Sequence, residues 1–200
     1  MRRTVTLLSL LCLAVLAPSL TPLAQEAPTS KPVVKSPPPL SADTLLKAAV
    51  KKAKPHGKKV LEKRVFVIFH ASWCGWCKRL EAVLEEEDVR KVMETHYNFV
   101  RLDVQENEKK RSLENPGGGR VLEELGGTKA GLPFYAILDA NGKKISDSLR
   151  MPKEANIGYP GSSEEIEAFE NILKETAPKM TESERKVVID AFNKNMPKAR

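Results

Sequence analysis

The stretch Trp73-Cys74-Gly75-Trp76-Cys77 constrains this chain more than any other. An apolar run, Val65-Phe66-Val67-Ile68-Phe69, leads into it, and Leu80, Val83 and Leu84 recur at helical spacing after it. A strand over 64–70 that is apolar on both faces belongs inside a sheet covered by helices on each side. Two cysteines three apart at the start of the next helix form a unit that can hold, give or take a disulfide. There, the unpaired N–H groups of the first helical turn and the helix dipole favour negative charge. Disulfide exchange needs a thiolate, which the ordinary cysteine pKa of about 8.5 supplies sparingly. Cys74 is therefore the candidate nucleophile, and Cys77, one turn further in, the candidate resolving thiol. Gly75 lets the turn between them tighten, and Trp73 offers a flat apolar rim to a substrate chain.

The compartment is read from the other end of the chain. Arg2 and Arg3 precede the uncharged run from Val5 to Leu16, and Pro18 follows it. A basic start, a short apolar run and small residues afterwards describe a signal peptide over 1–24, with cleavage expected after Ala24. The run is short for a bilayer span, which takes about 20 apolar residues, so membrane attachment would arise only through an uncleaved signal. Removing this segment leaves Cys74 and Cys77 and lowers the formal charge from +7 to +5, since it carries two arginines and no acid. A single close pair provides no disulfide framework for an exported fold, which points to chemistry. The basic stretch from Lys47 to Arg64 has no interleaved aromatics, so no nucleic-acid site is expected.

Residues 25–40, with Pro28, Pro32, Pro37, Pro38 and Pro39, read as a proline-rich linker. Ser41 or Asp43 caps a helix to about Lys54, and His56 falls in the loop that follows. Asp88 is expected to cap a short helix to about Thr95. A second strand follows over 97–104, with Arg101 and Asp103 forming a solvated pair on one side. Residues 115–119 read as a loop and 120–125 as a short helix. Leu132 to Leu138 reads as a third strand. Asp139-Ala140-Asn141-Gly142 turns it into an antiparallel fourth strand at about Lys144–Ser148. Ser162 or Ser163 opens a helix ended by Pro178, and Thr181 with Glu184 has the form of a capping box for a last helix.

Rival readings of the cysteines are weak. Structural zinc needs four ligands, commonly in two spaced pairs, and His56, His70 and His96 supply no second pair. Haem attachment needs a histidine where Lys78 stands, and a purely structural bridge this short constrains little of the unfolded chain.

The order strand, Cys-x-x-Cys helix, strand, proline-led hairpin and helix resembles the thioredoxin superfamily. The resemblance rests on Ala71-Ser72-Trp73-Cys74-Gly75-Trp76-Cys77-Lys78, on Leu132-Pro133 heading a strand, and on Asn141-Gly142. It covers roughly 45–176, and within the superfamily the chain is most similar to exported bacterial thioredoxin-like (thiol:disulfide interchange) proteins. It implies an α/β fold with a central mixed sheet of about four strands flanked by helices. The expected domain is 41–178, with a helical extension over 179–200.

The resemblance also implies an oxidoreductase acting on protein disulfides in the periplasm or outside the cell, with the reducing direction preferred. No cofactor and no metal are implied. The implied partners are protein thiols and disulfides and one redox partner protein, and the alternative is a non-catalytic binding or chaperone module. Trp73, Gly75, Trp76, Leu132 and Pro133 are the implied substrate-binding residues. A cis Leu132–Pro133 bond facing the cysteines would leave backbone groups free to pair with an extended substrate. Two positions depart from the family. Ile68 stands where a buried acid often helps the resolving thiol, so a water or a nearby Glu would have to serve. Trp76 stands where Pro or His is common, and it donates no charge to a thiolate. His70 either tunes the thiolate or packs at the strand end.

Overall fold

The computed structural model describes residues 37–55, 62–150 and 155–197. The expected signal peptide, Cys12, most of the linker and His56 lie outside the described residues.

The apolar run forms β1 (Arg64–His70), buried at its five central positions. Successive side chains of a strand point to opposite faces, so a run apolar at every position needs a cover on both. Phe66 and Ile68 enter one apolar cluster, and Val65, Val67 and Phe69 enter another. The sheet that carries them has the order β2-β1-β3-β4. Here β2 (Tyr97–Asp103) runs parallel to β1, while β3 (Phe134–Leu138) lies antiparallel to it and β4 (Lys144–Asp147) antiparallel to β3. Asp139 shapes the β3–β4 turn by accepting from the backbone N–H groups of Asn141 and Lys143 at 2.8 and 2.9 Å. This is the mixed four-strand sheet of a thioredoxin-like fold.

Helices cover both faces. On one side lie α1 (Ala42–Ala53) and α4 (Gly118–Glu124), whose Ala49, Ala53, Val121 and Leu122 meet Val67, Phe69 and Phe134. On the other lie α2 (Gly75–Leu84), α3 (Glu87–His96), α5 (Ser163–Thr176) and α6 (Glu182–Lys194). Leu80, Met93, Phe169, Val188 and Phe192 from these four pack on Phe66, Tyr135 and Ile137. Ser41 caps α1, while Ser162 and Thr181 open α5 and α6 with capping boxes.

Several expectations shift. Helix α3 starts at Glu87 with Glu86 as N-cap, not at Asp88, and both Glu87 and Asp88 lie in its first turn, where anions meet the positive end of the helix. The glycine-rich loop is shorter than expected because α4 already begins at Gly118, after Gly117 turns the chain at φ 81°. The third strand begins at Phe134, two residues late, since Pro133 has no N–H to contribute to a ladder. Arg101 and Asp103 do not pair with each other: Arg101 reaches Glu85 and Glu81 from α2, and Asp103 faces His70. A 3-10 turn at Glu108–Leu113 and a two-strand ribbon of β5 (Leu149–Arg150) and β6 (Ala155–Asn156) were not foreseen.

Candidate active site

The site forms where β1 ends and α2 begins. Ala71 to Trp73 turn the chain, and Cys74 becomes the N-cap of α2, its Sγ accepting the Cys77 N–H at 3.1 Å. Sulfur thus occupies the place a serine or aspartate oxygen usually fills, against donors that no residue of the helix satisfies. Cys74 and Cys77 are joined as a disulfide, with their Cα atoms 5.3 Å apart. Both are buried, at 3% and 1% exposure, and Ala71 and Leu132 pack around them. In the disulfide state the two sulfurs therefore differ in helical position rather than in cover. Gly75 begins α2 with open space where a Cβ would stand.

Of the other residues singled out in the sequence, Leu132 comes to the cysteine cluster from the loop before β3, and its bond to Pro133 is cis, as the resemblance implies. The backbone there is only partly free. Asn156 Nδ2 donates to the Pro133 carbonyl at 2.9 Å and to that of Gly131 at 3.3 Å. Among the described residues the N–H and carbonyl of Leu132 have no partner.

Trp73 and Trp76 flank the disulfide and are half exposed, at 52% and 51%. The Trp73 indole N–H donates to the Gln105 carbonyl at 2.8 Å. Next to it Glu106, only 5% exposed, accepts the backbone N–H of Ser72 and, at 2.9 Å, its hydroxyl, while Lys110 Nζ lies 3.1 Å from the same hydroxyl. Gln105 sits at φ 55°, a left-handed conformation uncommon for a residue with a side chain, which turns the chain from β2 over the motif. Trp76 is held differently. It stacks on Tyr159 at 5.8 Å between ring centroids, and the Arg79 guanidinium lies 5.2 Å over its face. Burial raises the pKa of the Tyr159 hydroxyl, which donates to the Asn195 carbonyl at 2.9 Å.

Ile68 is fully buried in the core and brings no acid to the resolving cysteine. Two carboxylates of the turn after β2 and of α2 have other occupations: Glu106 holds Ser72, and Glu81 lies 3.3 Å from His70 Nδ1. His70 bridges helix and strand, with its Nε2 3.4 Å from Asp103 Oδ1. Burial raises the Asp103 carboxyl above the usual range, and the facing His70 opposes that rise. His70 thus stands at the end of β1 between the Glu81 and Asp103 carboxylates. Sequence reasoning missed Gln105, Glu106, Asn156 and Tyr159. Only the position of Gln105-Glu106 directly after a strand that pairs with β1 signalled the first two.

Residues 44–140 match the family model described as thioredoxin-like. No curated protein sequence matches the chain. Solved structures similar in fold include a disulphide isomerase from Xylella fastidiosa Temecula1, at 18% identity over 76% of this chain and 86% of that one, with a TM-score of 0.41. The oxidoreductase DsbH is similar at 18% identity over 80% and 95%, with a TM-score of 0.43. Thioredoxin NaTrxh from Nicotiana alata is similar at 20% identity over 71% and 98%, with a TM-score of 0.39. The cysteine pair that caps the helix after the central strand, and the proline that leads the following hairpin, both lie within residues 44–140, the stretch similar to the thioredoxin-like family.

Proposed function

We propose that the chain is a thiol–disulfide oxidoreductase that acts on protein disulfides outside the cytoplasm, in the reducing direction. The observation that carries this reading is the Cys74–Cys77 disulfide with Cys74 Sγ at the N-terminus of α2. In the reduced protein the Cys74 thiolate attacks one sulfur of a substrate disulfide. A mixed disulfide forms, and the other substrate sulfur leaves as a thiolate that takes up a proton. Cys77 then loses its proton and attacks the Cys74 sulfur, closing the intramolecular bond and releasing the second substrate thiol. The substrate gains the two electrons the dithiol loses, and a separate redox protein restores the dithiol. Trp73, Gly75, Trp76, Leu132 and Pro133 border the attacked sulfur, with the Leu132 N–H and carbonyl available to an extended chain. Trp76 supplies no charge to hold a Cys74 thiolate, which favours the reductant over the strong oxidant. The location rests on the basic and apolar N-terminus that ends near Ala24.

Insulin reduction by the full chain and by Cys74→Ser and Cys77→Ser tests the chemistry. Cys74→Ser should be inert, and Cys77→Ser should accumulate a mixed disulfide with substrate. Equal inertness of all three would sink the enzymatic reading in favour of a binding or chaperone module. Cell fractionation with N-terminal sequencing tests the location, and an unprocessed cytoplasmic chain would overturn it.

A further inference from the structure

Helix α6 takes no part in the chemistry above, yet it reaches the disulfide through a short series of contacts. Phe192 lies 5.9 Å from Tyr159, ring to ring, and Tyr159 stacks on Trp76. The end of α6 is itself fixed: Asn195 accepts the Tyr159 hydroxyl through its carbonyl and donates through Nδ2 to Glu86 at 2.8 Å. Pro197, past the helix, packs on the same loop, with its ring 3.5 Å from where a Cβ on Gly161 would stand. Trp76, Leu132, Pro133, Asn156, Tyr159 and Pro197 line a groove of about 490 Å³.

The polar groups of this groove are largely occupied by the protein itself. Asn156 donates to Pro133 and accepts from the Ser148 hydroxyl at 2.7 Å. Glu165 accepts the backbone N–H groups of Gly161 and Ser162 at the start of α5. What remains to a visitor is ring and aliphatic surface beside polar surface of about equal extent. The groove also adjoins the redox pair, since Leu132 packs against the cluster of Ala71, Cys74 and Cys77 and also lines the groove. A chain whose sulfur is joined to Cys74 therefore has its neighbouring residue over the groove.

We propose that this groove, completed by Pro197 beyond the C-terminal helix, takes an aromatic side chain beside the cysteine of the substrate and so selects among protein disulfides. The inference rests on the oxidoreductase reading and names the substrate class of that same site. An aromatic occupant fits because Trp76, though stacked on Tyr159 and approached by the Arg79 guanidinium, is still half exposed, and ring contacts add to what burial alone contributes. Tyr159 is a positioning residue: it holds the Trp76 ring and ties it to α6.

The test uses the reduced full chain in excess over symmetrical disulfides of three unstructured peptides. These are identical except for Phe, Leu or Ser beside the single cysteine. In one turnover the protein dithiol becomes a disulfide and each peptide disulfide becomes two thiols, so no recycling reductant is needed. At subsaturating concentration the Phe peptide should react about tenfold faster than the Ser peptide and also faster than the Leu peptide, through tighter binding rather than a faster limiting rate. Tyr159→Ala should bring the Phe-to-Ser ratio toward one. Pro197→Gly, at a partly buried position past α6 and outside the apolar core, should lower it without disturbing the core. The ratio cancels any general damage to the dithiol. A wild type that reduces none of the peptides overturns the oxidoreductase reading and this inference with it. Equal rates for Phe and Ser, or for Phe and Leu, overturn the inference alone. A ratio undiminished in both variants overturns the part assigned to α6.

Discussion

The two tryptophans that bracket Cys74 sit at nearly the same exposure, yet they are held by opposite means. On the Trp73 side the turn after β2 grips the motif with polar groups: the Gln105 carbonyl takes the indole N–H, and Glu106 takes both donors of Ser72. On the Trp76 side the hold is aromatic, running from Trp76 through Tyr159 to Phe192 in α6. A carboxylate that accepts two hydrogen bonds at low exposure fixes a backbone closely. Stacked rings leave freedom to slide, and their geometry tolerates a range of offsets. The difference assigns two jobs. One side sets the position of the nucleophile, and the other offers a surface that can adjust to what it meets.

The comparison breaks most sharply at Glu106. Glu106→Ala leaves the Ser72 N–H and hydroxyl without their buried acceptor, and bonds to a charged acceptor contribute about 1.5–3 kcal/mol each before water compensates. A loss of about 3 kcal/mol in urea unfolding is expected, together with a change in Trp73 emission. Glu106→Gln, which keeps an acceptor oxygen, should recover roughly half of that loss. Trp76→Ala removes one exposed stacked pair and one cation–π contact and should cost about 1 kcal/mol. Equal costs for Glu106→Ala and Trp76→Ala would erase the distinction between the two sides.

A smaller effect separates the ring contact from the polar tie behind it. Tyr159→Phe keeps the stack on Trp76 and the contact with Phe192 but loses the donation to the Asn195 carbonyl. The expected loss is about 1 kcal/mol, with Trp76 emission nearly unchanged. A large emission change would mean that the hydroxyl, not the ring, positions Trp76.

The same contrast explains what the sequence showed. The Trp73–Cys77 stretch, β1, the Asn141-Gly142 turn and the capping boxes at Ser162 and Thr181 are local patterns, and their physics acts within a few residues. The fold and the cysteine pair were legible for that reason. Glu106 and Tyr159 meet the motif across 34 and 83 residues of chain, in a turn and a loop that carry no periodicity of their own. Nothing at either position marks its partner. Arg101 and Asp103 misled in the converse way: they share a strand face, but each found a closer opposite group on α2 or at the end of β1.

The smallest effect asks whether the two sides answer acid with opposite sign. Glu184 closes the capping box of α6, accepting the Thr181 N–H and hydroxyl at 2.8 Å each, with His96 Nε2 3.5 Å away. Those bonds, the backbone one foremost, hold its carboxyl below the ordinary 4.5. Its contribution is therefore present above the unfolded-state pKa and is lost as pH falls through the lower folded value. Asp103, at the end of the strand that leads to Glu106, is raised above 3.8 by burial. Its contribution is fully present in acid and is lost as pH rises through the folded value. Acid should thus loosen α6, and with it the Trp76 side, while the Trp73 side gains from Asp103. Both groups are partly exposed, so each effect should stay under about 1 kcal/mol. The chain has two tryptophans, so Trp73→Phe and Trp76→Phe each leave one reporter. Titrated from about pH 7 to about pH 3, the two reporters should respond with opposite sign, and Glu184→Gln should remove the response of Trp76 alone. If Glu184→Gln left the Trp76 response unchanged, the adjustable side would not be the one that depends on α6.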